Sequence, residues 1–563
     1  QPPFTGPSAQ AVLARHALDP VPPLRTIRPD LPEAVDRTVL RALAKAPADR
    51  FESAAAFKTA LVASATERPR RRIGVRGVLV GLAVVGLAIA AIAVSTRGGE
   101  RRESGAQAVA VLPFDNIGGD PKDEYFSDGM SEELMTALAR IPGLRVTPRT
   151  SAFSFKDKAA TAPEIGRALQ VQWLLEGAVR HSAGRIRVTT RLVLAAKDSQ
   201  AWSDEYERDA GDVFAVQDEI AHAVIDTLRV RLAGGPGMAL VKRSTGSTEA
   251  HDLYLQGRYF FAKRDSAALR RAQDFFARAI ARDSGYALAY AGLSDCYSHA
   301  SVFGYVAPRD IYPQAKAAAL RALALDSTLV EVHTSLGFIA LFLEWDWATA
   351  KREFDQAVAL DPRYPPAHLF HGWYFVATDR MNDAVDEVRT GVRLDPLDKV
   401  TNTRLASMLF YARRYDEALS QARLVLELDP MWFQGRVELA RAYMLLDRCE
   451  EAIATIREMQ EQTASPLRGV AGLIYARCGH RSAALAELNH FLAEARDGRY
   501  ISHYSLAVIY AGLGDKARAF TELDSAYTER TWAMFTLRAD PAFDGLRSDP
   551  RFERLVKKVG QPS

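Results

Sequence analysis

"VALDPRYPPA" (358–367), "VRLDPLDKVT" (392–401) and "LELDPMWFQG" (426–435) decide how this chain is read, because they are one phrase written three times. Two looser copies precede them, "ARDSGYALAY" (281–290) and "LALDSTLVEV" (323–332). The shared aspartates are Asp283, Asp326, Asp361, Asp395 and Asp429, with gaps of 43, 35, 34 and 34 residues. A fixed period of this size means that one supersecondary unit is stacked on its copies. Small residues recur where paired helices must touch. Gly292, Gly337, Gly372 and Ala406 fall in the first helix of each unit, and Ala272, Ala315, Ala350, Ala384, Ala418 and Ala452 in the second. Pro362, Pro396 and Pro430 close their units, because a proline ring breaks a helix that would otherwise continue. The long first gap is assigned to an insert around "SVFGYVAPRDIY" (301–312).

Period, small residues and proline together resemble the tetratricopeptide (TPR) repeat family. Weaker units, "AGLIYARCGHRSAALAEL" (471–488) and "LAVIYAGLGDKARAFTEL" (506–523), extend the array to about eight repeats over residues 250–530. Residues 531–563 are expected to cap it. Taking the small residue of each first helix as the frame, the positions one, four and five later point into the concave groove. They include Tyr297, Phe338, Phe342, Trp373, Phe410 and Tyr411. Few inward positions are basic, so the expected occupant is an apolar part of a protein or peptide rather than a chain-terminal carboxylate.

Upstream of residue 250 the pattern changes. Strand-like runs at Val109–Phe114, Leu144–Val146, Trp173–Val179, Ile186–Leu194 and Ala201–Glu207 mix with helical segments at Ser131–Ala139, Pro163–Leu169 and Asp212–Leu232. That order argues an α/β domain over residues 108–232. Its stretches "AVLPFDNIGGDPKDEYFSDGMSEELMTALARIPGLRV", "LLEGAVR", "RIRVTTRLVLA" and "AWSDEYERD" resemble the TolB N-terminal-like domain, which implies a non-catalytic binding or assembly role in the cell envelope. Asp115, Asp120, Asp123, Glu124 and Asp128 lack calcium-loop spacing and are read as a solvated, helix-capping loop. Residues 95–107 and 233–249 read as linkers.

"IGVRGVLVGLAVVGLAIAAIAV" (73–94) has the length and apolarity of a membrane-spanning helix, with one charge, Arg76, near its start. Five arginines (68, 70, 71, 72, 76) precede or open it and three (97, 101, 102) follow. By the positive-inside rule the expectation is a single-pass inner-membrane protein, residues 67–94 forming basic flank and span. The N-terminus would be cytoplasmic and the repeats periplasmic. Before it, "RHALDPVPPLRTIRPDLPEAVDRTVLRALAKAPADRFESAAAFKTAL" (15–61) resembles the end of the C-lobe of bacterial serine/threonine protein kinases. In that family an arginine at the place of Arg50 pairs with the glutamate of an upstream A-P-E. The Gly-rich loop, H-R-D and D-F-G are missing, so residues 1–66 are expected to be a truncated C-lobe and this chain inactive. ATP and magnesium are implied only for a kinase domain outside it. The A-P-E at Ala162–Glu164 is read as coincidence.

The expected fold class is therefore multidomain: a kinase C-lobe remnant, a single transmembrane helix, an α/β TolB-N-like domain and an all-α TPR solenoid. The expected function is the extracytoplasmic protein-binding and membrane-anchoring portion of a receptor-like serine/threonine kinase. The alternatives are a membrane-tethered TPR scaffold without kinase activity and a transcription regulator. A homo-oligomer is allowed for. Net charge of +3 gives no nucleic-acid bias. No cofactor, catalytic or metal residue is assigned. His368 and His371 lack a third ligand and are read as repeat surface. Cys296, Cys449 and Cys478 form no C-x-x-C pair. Cys449 and Cys478, in neighbouring units, are read as unpaired thiols, with a disulfide as the alternative.

Overall fold

The computed structural model describes residues 33–43, 51, 53–65, 107–118, 120, 123–182, 184–228, 244–263, 265–302, 306, 308–462, 468–497 and 501–560. The chain divides into two units, Gln1–Ser104 and Gly105–Ser563. In the first, α1 (Glu33–Ala42) and α2 (Ala54–Ala65) pack against each other. Ser53 caps α2, its hydroxyl accepting from the Ala56 amide at 3.1 Å. The Arg41 guanidinium lies over the Phe51 ring at 4.6 Å. Arg50 lies outside the described residues.

The expected transmembrane helix is corrected. Among the described residues no helix is long and apolar enough to cross a membrane. The longest, Pro308–Leu325, has 18 residues but carries Arg309, Asp310, Lys316 and Arg321, and a span needs about 20 consecutive apolar ones. The stretch Ile73–Val94 lies outside the described residues. The single-pass localisation, with a cytoplasmic N-terminus and periplasmic repeats, therefore has no spanning helix in the structure to rest on.

The second unit begins with a mixed sheet: β1 (Gln107–Val111), β2 (Asp115–Asn116), β3 (Leu144–Val146), β4 (Trp173–Ser182), β5 (Arg185–Leu194) and β6 (Ser199–Asp209). The order is β3-β1-β4-β5-β6, with β2 paired to β4. The β1–β3 and β1–β4 pairs are parallel; β4–β5 and β5–β6 are antiparallel. Gly184, at φ +78°, makes the left-handed turn that joins β4 to β5. α3 (Glu124–Ala139), α4 (Arg149–Phe153), α5 (Ala162–Leu169) and α6 (Val213–Leu228) complete the layer. Glu164 of the A-P-E triplet closes a capping box, accepting from the Thr161 amide at 2.9 Å. Asp128 is not the solvated loop residue expected: it is buried and bonded to the Lys156 ammonium at 2.5 Å.

Eight helix pairs follow among the described residues: α7 (Thr248–Lys263) with α8 (Ser266–Arg282), α9 (Ala287–Val302) with α10 (Pro308–Leu325), α11 (Val330–Ile339) with α12 (Trp347–Leu360), α13 (Pro365–Ala377) with α14 (Met381–Leu394), α15 (Lys399–Tyr411) with α16 (Tyr415–Leu428), α17 (Phe433–Leu445) with α18 (Cys449–Gln462), α19 (Arg468–Arg477) with α20 (Arg481–Arg496), and α21 (His503–Gly512) with α22 (Lys516–Thr528). First helices such as α13 and α15 are buried nearly all round, whereas second helices such as α14 bury one stripe, Ala384, Val385, Val388 and Gly391. The first helices therefore form the inner layer, each touching the first helix of the next unit. The predicted small residues sit at the closest approaches. A Cβ on Gly372 would lie 2.4 Å from Val388 Cγ2, and one on Gly337 2.6 Å from the Phe354 ring. First helices turn into second helices through a left-handed residue: Asp379, Arg413, Asp447, Gly479 and Gly514.

Cys449 and Cys478 are joined by a disulfide with Cα atoms 5.5 Å apart. The expectation of unpaired thiols is thus corrected, because stacking brings the start of α18 against the end of α19. The histidine reading is corrected too. His368 and His371 are 5% and 8% exposed, inside the array rather than on its surface. Both face Glu387 Oε1, at 2.9 and 3.2 Å.

The α/β domain leans on the array. Gly129 of α3 leaves room for the Leu255 side chain of α7, whose Cδ1 would be 2.7 Å from a Cβ there. Tyr125 donates to Asp252 at 2.7 Å, and Arg363 donates to the Leu144 carbonyl at 3.2 Å. The Ser151 amide donates to Asp395 at 3.1 Å, and the Ser151 hydroxyl accepts from the Leu397 amide at 2.9 Å. Burial, with Asp398 beside it, pushes the Asp395 carboxyl up to about 7.

Candidate functional site

The aromatic residues that the repeat frame points inward lie close together within the array. At the end of α11 the chain widens into a π-helical turn, Ala340–Glu344. Such turns shift side-chain register within a helix. Here Phe338 and Phe342 stack at 4.4 Å between centroids, and Phe338 meets Phe370 edge-on at 5.1 Å. From α13, Trp373 packs edge-on against Tyr411 of α15 at 5.8 Å, and Phe410 lies 5.4 Å from Tyr411. Arg441 of α17 covers the Phe410 ring at 3.7 Å. Its charge is opposed by burial but held by Glu438, whose carboxylate is 3.2 Å away. Burial raises the Tyr411 hydroxyl above its ordinary range. Phe338, Phe342, Trp373, Phe410 and Tyr411 thus share one cluster, with Tyr297 of α9 partly buried at its edge.

This floor is not open to solvent. Phe338, Phe342, Trp373, Phe410 and Tyr411 are between 2% and 8% exposed. Over Phe342 and Trp373 the cover is the chain's own tail. After α22, Arg530 adopts a left-handed conformation, φ +53°, and turns the backbone inward. Two 3₁₀ turns, Trp532–Thr536 and Pro541–Leu546, follow before α23 (Pro550–Val559), which packs on α22. Phe535 is fully buried, 4.8 Å from the Phe342 ring and 5.5 Å from the Trp373 ring, edge-on to both. Trp532 lies 6.4 Å from Phe342. Further along, Tyr504 of α21 donates to Asp540 at 2.8 Å, Arg477 donates to the Pro541 carbonyl at 2.8 Å, and Arg413 grips Asp544 with two bonds of 2.7 Å. Burial alone would raise the Asp544 carboxyl; Arg413 and Arg547 reverse that and hold it below the usual range.

Nothing in the repeat frame pointed to Phe535 as a partner of these rings, or to Asp544 as a partner of Arg413. The signal available was weak: an aromatic pair, Trp532 and Phe535, in a segment otherwise read as a cap. Among the described residues no group of three or more histidine, cysteine or acidic side chains could hold a metal ion.

No family model matches this chain. Over 187 residues it is 36% identical to "Putative adenylate cyclase 3" of Rhizobium meliloti (strain 1021), which is 33% of this chain and 32% of that protein. Over 68 residues it is 41% identical to the serine/threonine-protein kinase Pkn1 of Myxococcus xanthus, 12% of this chain and 10% of the kinase. Among solved structures, a thermophilic TPR protein of Thermus thermophilus matches 35% of this chain and 99% of its own, with 19% identity and a TM-score of 0.31. The chain spans about a third of the length of the first relative and a tenth of the second.

Proposed function

We propose that this chain is a protein-binding regulatory region that works with a serine/threonine kinase, and that the concave aromatic floor of its TPR-type array is the partner surface. The observation that carries the reading is that the floor already holds a short peptide segment, with Phe535 seated between Phe342 and Trp373. Aromatic anchors in a desolvated pocket are where binding energy concentrates at protein interfaces. The kinase association is supported by the short stretch similar to Pkn1. The α/β domain is read as a second binding or assembly module, braced against the first repeat.

The test is a peptide library selected against the full chain. Selected peptides should lose about tenfold in affinity, or about 1.4 kcal/mol, when Phe342→Leu and Trp373→Leu are combined. Leucine keeps most of the volume and removes the ring faces, so helical circular dichroism should stay unchanged. Peptides that bind this variant as tightly as the wild type would place the partner surface elsewhere.

A further inference from the structure

The segment that fills the groove has the properties of a ligand rather than of a ninth repeat. It forms no helix pair. Within it the backbone bonds are local: Met534 to Thr531, Leu537 to Met534, Ala539 to Thr536 and Phe543 to Asp540. What it offers the array is side chains and one backbone carbonyl, that of Pro541, which accepts from Arg477. Phe535 enters the aromatic floor, while Met534, Leu537 and Phe543 fill the adjoining core of the later repeats. Its carboxylates are met by one first-helix and one turn position of the array: Asp540 by Tyr504, and Asp544 by Arg413, with Arg547 of the segment itself also bonded to Asp544. The Arg413–Asp544 pair is 43% and 39% exposed. Rim ion pairs of that kind hold weakly and exchange readily.

We propose that residues 531–549 are a built-in ligand of the groove, displaced by a partner protein that presents a segment of the same chemistry. That segment carries two aromatic side chains three apart, as Trp532 and Phe535 are. Five to nine residues later it carries carboxylates for Tyr504 and Arg413, as Asp540 and Asp544 are. The proposal rests on the groove reading above and adds the partner's chemistry and its competitor. A tethered segment acts at a high effective concentration. A free peptide of the same sequence should therefore bind the wild type poorly and a chain with a weakened tail well. An aromatic pair is required of the partner because removing Phe535 uncovers Phe342 and Trp373 together.

The probe is a fluorescein-labelled peptide of residues 530–549. It is titrated into the full chain, into full-chain Trp532→Ala with Phe535→Leu, and into the milder full-chain Asp544→Lys. The doubly substituted chain should bind at least tenfold tighter than the wild type, and Asp544→Lys at least threefold tighter. Saturating peptide should also speed hydrogen exchange in residues 531–549 of the wild type. Equal affinities for all three chains, or no change in exchange, would overturn the proposal. So would loss of helical circular dichroism in the double variant with no gain in Asp544→Lys, since the tail would then be a fixed strut. Failure of the groove reading is distinguishable. Library-selected peptides that lose affinity with Phe342→Leu and Trp373→Leu but gain none from the tail variants leave the groove standing and remove the built-in ligand. Peptides indifferent to the floor remove the groove.

Discussion

Replacing Glu387 with glutamine should destabilise the array in slightly acidic solution and much less in alkaline solution. The His368 ring sits between two acceptors: Nδ1 donates to Glu387 at 2.9 Å and Nε2 donates to the Pro362 carbonyl at 2.8 Å. Two acceptors require two ring protons, so this histidine is an imidazolium. Burial works against that charge, but Glu387 and Pro362 prevail and hold the His368 pKa above its ordinary value. Burial alone would likewise raise Glu387; the bonds from His368 and His371 reverse this and hold it at about 2, against 4.5 for a free glutamate. Its lowered pKa contributes stability that is present above 4.5 and lost as pH falls toward 2. The raised pKa of His368 contributes stability that is complete below its unfolded value, about 6.5, and lost as pH rises through the folded one. Both terms are therefore whole between roughly pH 4.5 and 6.5.

The depression of Glu387 corresponds to about 3 kcal/mol at about 1.4 kcal/mol per unit, and its side chain is only 22% exposed, so little of that is screened away. Glu387→Gln should cost about 2–3 kcal/mol at pH 5.5, or a fall in melting temperature of about 4–10 °C followed by circular dichroism. At alkaline pH, once His368 has been carried through its raised value, the loss should be less than half as large. His368→Gln combined with Glu387→Gln should cost clearly less than the sum of the singles. Equal losses at the two pH values, or strictly additive singles, would refute the charged pair. The same device recurs: His333 with Glu353 at 2.8 Å and His503 with Glu522 at 2.6 Å, both histidines raised chiefly by that bond. The wild-type array should accordingly lose stability as pH rises above neutrality.

Two further outcomes are expected. Cys449→Ser should lower stability by about 3–4 kcal/mol, as expected for opening a loop closed across 29 residues; reductant should reproduce the effect in the wild type and leave the variant's melting curve unmoved. Gly372→Ala should cost about 1–3 kcal/mol in urea unfolding, because its Cβ would fall 2.4 Å from Val388 Cγ2 and 3.3 Å from the Ala384 carbonyl, a helix contact that must open; Val388→Ala should recover part of that loss.

The repeat period was legible because it is written in local chemistry. A proline follows the second helix of three units, at Pro362, Pro396 and Pro430, and small residues mark helix crossings, as Gly337 does against Phe354. The sheet was legible through alternation, as along β5, where Ile186, Val188, Thr190 and Leu192 are buried and Arg185, Arg187, Thr189 and Arg191 are not. What escaped was of two kinds. The histidine–glutamate pairs lie 19 or 20 residues apart in sequence and emerge only when repeats are overlaid. Once aligned, Asn402 and Gln421 occupy the same place, bonded at 2.8 Å. The Phe535–Phe342 contact spans 193 residues and obeys no period. A sequence can show that a face is apolar, but not which distant segment will cover it. The disulfide was hidden likewise, since adjacency of units does not fix a 5.5 Å approach between two Cα atoms.

These long-range contacts alter how the array holds together. A solenoid is ordinarily a chain of nearest-neighbour interfaces, free to fray from either end and to flex between units. Here the α/β domain ties the first repeat, through Gly129 and Leu255, to the loop ahead of α15, through Ser151 and Asp395. The tail ties α11 and α13, through Phe535, to α15, through Arg413, and to α21, through Tyr504. Each tie closes a loop of several repeats, so opening any unit inside it must strain or break the tie as well. Local unfolding therefore costs more within the braced repeats than at an unbraced end. The two braces overlap across α11 to α15, the helices that carry the aromatic floor. The proposed partner surface is thus also the part of the array most closely braced, an arrangement that would lower the ordering cost of an incoming segment and confine the required movement to the tail.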